Sequence, residues 1–271
     1  MVISTNIESV TLTGDERVRL TIYTAGRDRE LPYNERRPGI LVIPGGGYSF
    51  CSNREGDPIA LAFLAAGYNA FVLEYSTLST TEKRFPAQLI EAASAMKFIR
   101  DNADKYATDA GRVFVIGFSA GGHLAAMLGT MYASKHVTDA LDMPENYAKP
   151  TGMILSYPVI SGGEYAHRGS FDSLLGERKD DAEMLSYLSL ENRVTDATVP
   201  AFIWHTADDT CVPVENSLMF ASALSAHKVP FELHIFPRGE HGASLGNELV
   251  GRKPNPLESW FSDAVTWMKT V

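Results

Sequence analysis

The chain has 271 residues, 45% hydrophobic and 21% charged, which suits one large α/β domain or two smaller ones with a sizeable core and makes global disorder untenable. Its 24 basic and 33 acidic residues leave a net charge of −9, which argues against nucleic acid or an anionic membrane as the main partner. Two cysteines are too few for a disulfide scaffold and fit a reducing compartment, and no apolar run approaches the roughly 18–20 residues of a spanning helix.

Met1–Val10 carries Glu8 and neither a basic n-region nor an apolar h-region, so no secretory signal is read and a cytoplasmic setting is expected. Val18–Tyr23 alternates with period two, as a half-exposed antiparallel edge strand would. Ile40–Ile43 follows, stopped by Pro44 and three glycines; then come Ala70–Tyr75, Val113–Phe118, Met153–Tyr157, Ala201–His205 and Phe231–Phe236. Runs this short and apolar, bounded by Gly or Pro, read as buried strands.

Helical patterns lie between them. Leu89, Ala93, Met96 and Ile99 form a stripe after Pro86, and Leu218, Ala221, Leu224 and Ser225 form another within Glu215–His227. Trp260, Ala264, Trp267, Met268 and Val271 predict a C-terminal helix that lays two indoles on the core. Strand and helix in alternation imply a single α/β domain over 1–271, doubly wound and mostly parallel, with helices on both faces. Residues 159–198 carry no strong strand signal and are long for a loop, so they read as a cap-like insertion with short helices above the sheet.

Gly117-Phe118-Ser119-Ala120-Gly121 follows a predicted strand and precedes the helix-compatible Gly122–Thr130. That context is what a serine nucleophile needs: a sharp strand-to-helix turn that exposes Oγ, with glycines where side chains would collide. A base is then required. His241, in Gly239–Gly242 just past the Phe231–Pro237 run, falls at the same sheet edge as Ser119. His123, His205 and His234 read as structural. The orienting acid belongs after Ala201–His205, where Asp208 and Asp209 stand side by side and strand polarity does not choose between them. Gly45, Gly46 and Gly47 follow an early strand, where backbone N–H groups, with that of Ala120, can hold an oxyanion at about 3–4 kcal/mol per donor. Neither phosphate-loop pattern is present, no His/Cys/Asp/Glu cluster has metal spacing, and no cofactor is expected. Cys51 and Cys211 are read as structural, and His205 with Asp209 is not read as a ligand pair, because the two leave a strand for a loop.

These residues resemble the α/β-hydrolase superfamily, and within it the small acetyl-xylan-esterase-like carbohydrate esterases that border the hormone-sensitive-lipase-like and dienelactone hydrolase branches. The matching pieces are Pro44–Tyr48, Arg54–Ala60, Gly67–Ser76, Arg84–Ala92, Gly111–Ala125, Tyr157–Ile160, His205–Ser217 and Phe236–Gly242. The resemblance implies the family spacing H-x-x-x-D-x-x-V-P, which selects Asp209 over Asp208. It implies oxyanion donors at Gly46, Gly47 and Ala120; Tyr48 and Pro158 are expected as substrate contacts. Pro44 stands where lipase-like relatives begin the loop with His, which favours the carbohydrate branch.

The expected activity is that of a serine esterase on a small-molecule ester, with Ser119 as nucleophile, His241 as base and Asp209 orienting it. The expected acyl group is short, acetyl on a sugar such as a xylo-oligosaccharide, by family analogy. A general short-chain carboxylesterase and a prolyl-oligopeptidase-like peptidase are the alternatives, although the residues before Pro44 leave no room for the peptidase's propeller. An inactive binding module is the third reading, and a homodimer stays open.

Overall fold

In the computed structural model, which describes residues 5–26, 35–250 and 256–271, the apolar runs line up as one sheet. Residues 1–4, 27–34 and 251–255 of the expected 1–271 domain lie outside the described residues. The strands are β1 (Thr5–Thr11), β2 (Arg19–Ala25), β3 (Arg37–Ile43), β4 (Asn69–Glu74), β5 (Thr108–Phe118), β6 (Met153–Ser156), β7 (Ala201–Thr206) and β8 (Phe231–Phe236). Their spatial order is β1-β2-β4-β3-β5-β6-β7-β8. The β1–β2 and β2–β4 pairs are antiparallel, and every pair from β4 through β8 is parallel.

The helices are α1 (Asp57–Ala65), α2 (Ala87–Asp101), α3 (Ala120–Met131), α4 (Lys135–Thr138), α5 (Arg168–Leu175), α6 (Ala182–Tyr187), α7 (Glu215–Ala226) and α8 (Ser259–Trp267). They explain why the central strands are apolar throughout rather than alternating. Ile40 and Val42 of β3 face one core with α1 and α8, while Leu41 and Ile43 face the other with α2, α3 and α7. Phe114 and Ile116 of β5 divide from Val113 and Val115 in the same way. A sheet covered on both faces offers no solvated side for polar residues. Among the described residues no helix is long and apolar enough to cross a membrane.

Three expectations are corrected. β2 is not an edge strand, because β1 pairs along its outer side. β1 (TNIESVT) is largely exposed, with Ile7 59% accessible, so it has no apolar run to announce it. β8, read as buried, is the opposite edge, and its Ile235 is 38% exposed. On α7, Leu218 and Ser225 face outward, and the buried face runs through Asn216, Ser217, Phe220, Ala221 and Leu224. The reason is polar: buried Asn216 Oδ1 accepts hydrogen bonds from the N–H groups of Ile160 and Ser161, both at 2.9 Å, and this sets the helix's rotation.

The stretch 159–198 forms α5, α6 and two single-turn 3-10 helices between β6 and β7. Phe171, Leu174, Leu188 and Leu190 are buried in the same core as α2 and α3, so the segment is packed onto the sheet's helical layer.

The C-terminal helix ties one core to the loop that carries His241. The Trp260 indole is fully buried and stacks on Trp204 with ring centroids 5.1 Å apart. Its Nε1 donates to Ser244 O at 3.0 Å, three residues past His241. Trp260→Ala is expected to lower stability by about 3–5 kcal/mol in chemical unfolding.

Candidate active site

Strand order determines where a site forms. From β3 the chain crosses to β4 on one side, and it returns through α2 to β5 on the other side of β3. Connections leaving two neighbouring strands in opposite directions open a crevice at their carboxyl ends. Pro44–Gly47 leaves β3 there, and Ser119 leaves β5 beside it.

Ser119 is the N-cap of α3, with φ 53° and ψ −119°. Few L residues adopt this backbone without compensation from their surroundings. Ser119 N–H donates to Ser156 O at 3.0 Å, and Val159 N–H donates to Ser119 O at 3.0 Å, so the adjacent strand end holds the turn on both sides. Gly121 must lack a side chain, since a Cβ there would fall 2.2 Å from Ile43 O and 2.4 Å from Pro44 O.

His241 Nε2 lies 2.8 Å from Ser119 Oγ, and its Nδ1 lies 2.7 Å from Asp209 Oδ2. With a carboxylate acceptor at Nδ1, the proton sits on Nδ1, and Nε2 accepts from the serine hydroxyl. Asp209 Oδ1 accepts from the N–H groups of Cys211 (2.8 Å) and Val212 (2.9 Å). Burial alone would push the Asp209 carboxyl up. Hydrogen bonds from His205 and His241, the His241 charge and the Val212 N–H outweigh it and hold the group well below the usual carboxylate range. Asp208 instead accepts from Gly239 N–H at 2.8 Å and braces the loop that carries His241.

His205 and Asp209 were not expected to meet. The structure places His205 Nε2 3.4 Å from Asp209 Oδ2, with both side chains fully buried. Nε2 also lies 3.0 Å from Val212 O, so the ring proton sits there, and Nδ1 accepts from Ser217 Oγ at 2.8 Å. The turn after β7 curls back on its own strand, which bare strand-to-loop geometry does not foresee.

Gly46 (φ 120°) and Gly47 (φ 63°) line the cleft beside Ser119. The Ala120 N–H is the first of α3, one of the four at a helix start that have no partner within the helix.

Tyr48 and Pro158, expected to touch substrate, do not line this cleft. Tyr48 is 1% exposed, and its hydroxyl lies 2.8 Å from His123 Nδ1 on the core side of the glycine loop. Its φ of 58° turns the side chain inward after Gly47. Pro158 is buried against the first turn of α3, where a Cβ on Gly122 would come within 2.8 Å of Pro158 Cβ. Cys211, read as structural, is exposed and lines the cleft, because the acidic turn directs it outward; Cys51 is held inert, its thiol pushed up to about 12 chiefly by burial. His123 is buried on α3 away from Ser119 Oγ, and burial lowers its pKa to about 4.

The cleft, of about 320 Å³, has walls that sequence reasoning missed: Phe50, Arg54, Glu55 and His167. Its volume is at the small end of ligand sites. Phe50 is 54% exposed beside Gly46. His167 enters from the 159–198 segment with Nδ1 2.8 Å from Ser170 Oγ. Burial, aided by the His241 charge, lowers its pKa, so the ring is neutral at neutral pH. A histidine outside any motif carries no signal in sequence, and of these four only Arg54 and Glu55, inside the piece Arg54–Ala60, could have been flagged.

A family model described as BD-FAE matches residues 28–224. Endo-1,4-beta-xylanase B of Butyrivibrio fibrisolvens is 45% identical over 218 residues, which covers 79% of this chain and 33% of that protein. Acetylxylan esterase of Xylanibacter ruminicola is 30% identical over 253 residues, which covers 89% of this chain and 47% of that protein. The chain thus spans about a third and about half the length of these two relatives. A solved acetyl ester-xyloside bifunctional hydrolase from Caldicellulosiruptor lactoaceticus superposes with a TM-score of 0.81 at 38% identity, covering 93% of this chain and 88% of that one.

Because its folded-state pKa is depressed, Asp209 adds stability that is fully present above the ordinary carboxylate range and is lost progressively as pH falls below that range toward the lower folded-state value. Asp209→Asn is expected to be less stable by about 1–3 kcal/mol near neutral pH. In urea unfolding at a series of pH values, that gap narrows below about pH 4.

Proposed function

The chain belongs to the BD-FAE family, and from that premise we propose that it is a serine esterase releasing short acyl groups, acetyl above all, from sugar esters such as acetylated xylo-oligosaccharides. The observation that carries the reading is the pair of hydrogen-bond distances, 2.8 and 2.7 Å, that link Ser119 Oγ through His241 to Asp209. The relatives named for acetyl-ester chemistry on xylan and xylosides support the substrate class.

In this reading Ser119 Oγ attacks the ester carbonyl carbon while its proton passes to His241 Nε2. The carbonyl π bond opens, and its oxygen becomes an oxyanion that accepts hydrogen bonds from the N–H groups of Gly46, Gly47 and Ala120. Collapse breaks the bond to the alcohol oxygen, which takes the proton from His241 as it leaves. Water then gives a proton to His241 and attacks the acyl-serine, and the same steps run backwards to free acid and serine. Asp209 keeps the imidazole in its Nδ1–H form and stabilises the imidazolium that forms twice per turnover.

The cleft's walls favour a polar alcohol. Phe50 offers an exposed ring face, and His167 presents a neutral ring beside Arg54 and Glu55, a mixture suited to a sugar rather than a long aliphatic chain. Residues 159–198 contribute His167 and Gly169 to that wall, and we assign the segment the role of a specificity cap. Two free cysteines are consistent with a cytoplasmic setting.

Ser119→Ala is expected to lose at least about 1,000-fold in kcat/KM on both p-nitrophenyl acetate and acetylated xylo-oligosaccharides, and wild-type turnover in that variant would overturn the mechanism. His167→Ala is expected to lose about 10-fold on the oligosaccharide and less than about 3-fold on p-nitrophenyl acetate, as the loss of one hydrogen bond to the alcohol would give. Equal losses on both substrates would remove His167 from alcohol recognition.

A further inference from the structure

A second carboxylate lies beside the reacting groups, and the steps above leave it unused. Glu55 is 2% exposed and lines the cleft together with Ser119 and His241. Its Oε2 accepts a hydrogen bond from Gly45 N–H at 2.9 Å, and its Oε1 accepts one from the Tyr157 hydroxyl at 2.7 Å. Both partners donate. The Tyr157 oxygen in turn accepts from Ser244 N–H at 3.0 Å, which commits its own proton to Glu55. Two donors and no acceptor are the surroundings of an ionised carboxylate.

The three segments that Glu55 joins each carry part of the machinery. Gly45 leads directly into Gly46 and Gly47. A Cβ placed on Gly45 would fall 2.8 Å from Glu55 Oε2 and 3.0 Å from Ser119 Cβ, which shows how closely the carboxylate approaches the nucleophile. Tyr157 lays its ring against the His241 imidazole, centroids 5.0 Å apart and planes at 67°. Ser244 lies on the loop that carries His241, and its Oγ donates to Arg54 O at 2.5 Å.

We propose that Glu55 is a positioning residue for the reaction: its buried carboxylate holds the glycine loop through Gly45 and the His241 loop through Tyr157 and Ser244, and its fixed negative charge favours the His241 imidazolium. Leaving a buried carboxylate unpaired is costly, so the network keeps Glu55 ionised only while all three segments stay in place. Burial raises the Glu55 carboxyl above the usual carboxylate range, and the bonds from Tyr157 and Gly45 and the charges of His241 and Arg54 offset only part of that rise.

The charged and titratable groups around His241 come from several elements. Asp209 and Cys211 approach from the turn after β7, Glu55 and Arg54 from the turn before α1, His167 from the segment before α5, and Tyr157 from the end of β6. Ser119 faces its Nε2, and Glu240 precedes it on its own loop. Removing the Glu55 charge from this set disfavours the imidazolium, so His241 becomes the neutral base at lower pH than before.

The test is Glu55→Gln, assayed on p-nitrophenyl acetate across pH, with circular dichroism and thermal melting to establish the fold. The expected result is a kcat lower by about 10- to 100-fold, the scale of an ångström-sized misplacement, with KM within about 3-fold. The acid limb of kcat/KM moves to lower pH by about 1 unit. A residue that serves the fold alone would leave that limb in place. Tyr157→Phe cuts the same network while keeping the carboxylate, and its kcat falls about 10-fold with a smaller movement of the limb. A folded Glu55→Gln with kcat within about 3-fold of wild type, or with an unmoved acid limb, overturns the proposal. Should Glu55→Gln not fold, Tyr157→Phe decides alone: unchanged kcat overturns the proposal, and the stated fall supports it. The inference rests on the esterase reading. An active Ser119→Ala removes both, whereas a wild-type-like Glu55→Gln beside an inactive Ser119→Ala removes this one only.

Discussion

Gly121 stands so close to the end of β3 that a single added carbon would overlap the carbonyl oxygens of Ile43 and Pro44, at 2.2 and 2.4 Å. That contact governs how α3 leaves β5. With the start of α3 pressed onto β3, the chain between strand and helix has room only for a turn in which Ser119 takes a positive φ. Such a backbone costs of order 1–3 kcal/mol, and here it is offset by hydrogen bonds to Ser156 and Val159 on the neighbouring strand end. The same closeness brings Pro44–Gly47 alongside the serine. One packing constraint therefore determines both where Oγ points and which backbone N–H groups stand next to it.

The electrostatics are built on that frame by burial. Asp209 is fully buried yet ionised, because two backbone N–H groups and two histidines converge on it. His205 is as buried as Asp209, and its ring is fixed by Val212 O at Nε2 and the Ser217 hydroxyl at Nδ1. His123 stays neutral between Tyr48 and Leu188 O. The imidazole of His241 is left partly open, at 19% side-chain exposure, with Nε2 toward Ser119 Oγ in the cleft. Two histidines thus act as fixed parts of the scaffold, one of them in direct contact with the acid that orients the third.

Much of this was legible in the sequence, and the reasons are physical. Strands buried on both faces must be apolar throughout, so β3 to β7 announce themselves as short runs closed by Gly or Pro. The serine turn is legible because its glycines answer to steric contacts that no other residue survives. The parts that were not legible depend on direction and on long-range packing. β1 is exposed and polar, so its place outside β2 has no apolar signature. The inward turn of Tyr48 follows from a backbone angle set by the glycines before it. His167 reaches the cleft across a segment without regular patterning, and Glu55 matters only once Gly45, Tyr157 and Ser244, far apart in the chain, are brought around it.

The central claim is that Ser119 is the nucleophile because the fold activates it through His241 and Asp209. Intact-mass analysis after brief exposure to a fluorophosphonate, followed by peptide mapping, tests this most directly, since the reagent reports an activated serine whatever the natural substrate is. The account predicts one phosphonyl group per chain, carried by the peptide that contains Ser119, with labelling that collapses when His241 is replaced by Ala. Labelling at another residue, or no labelling in a preparation that hydrolyses acetyl esters, would contradict it.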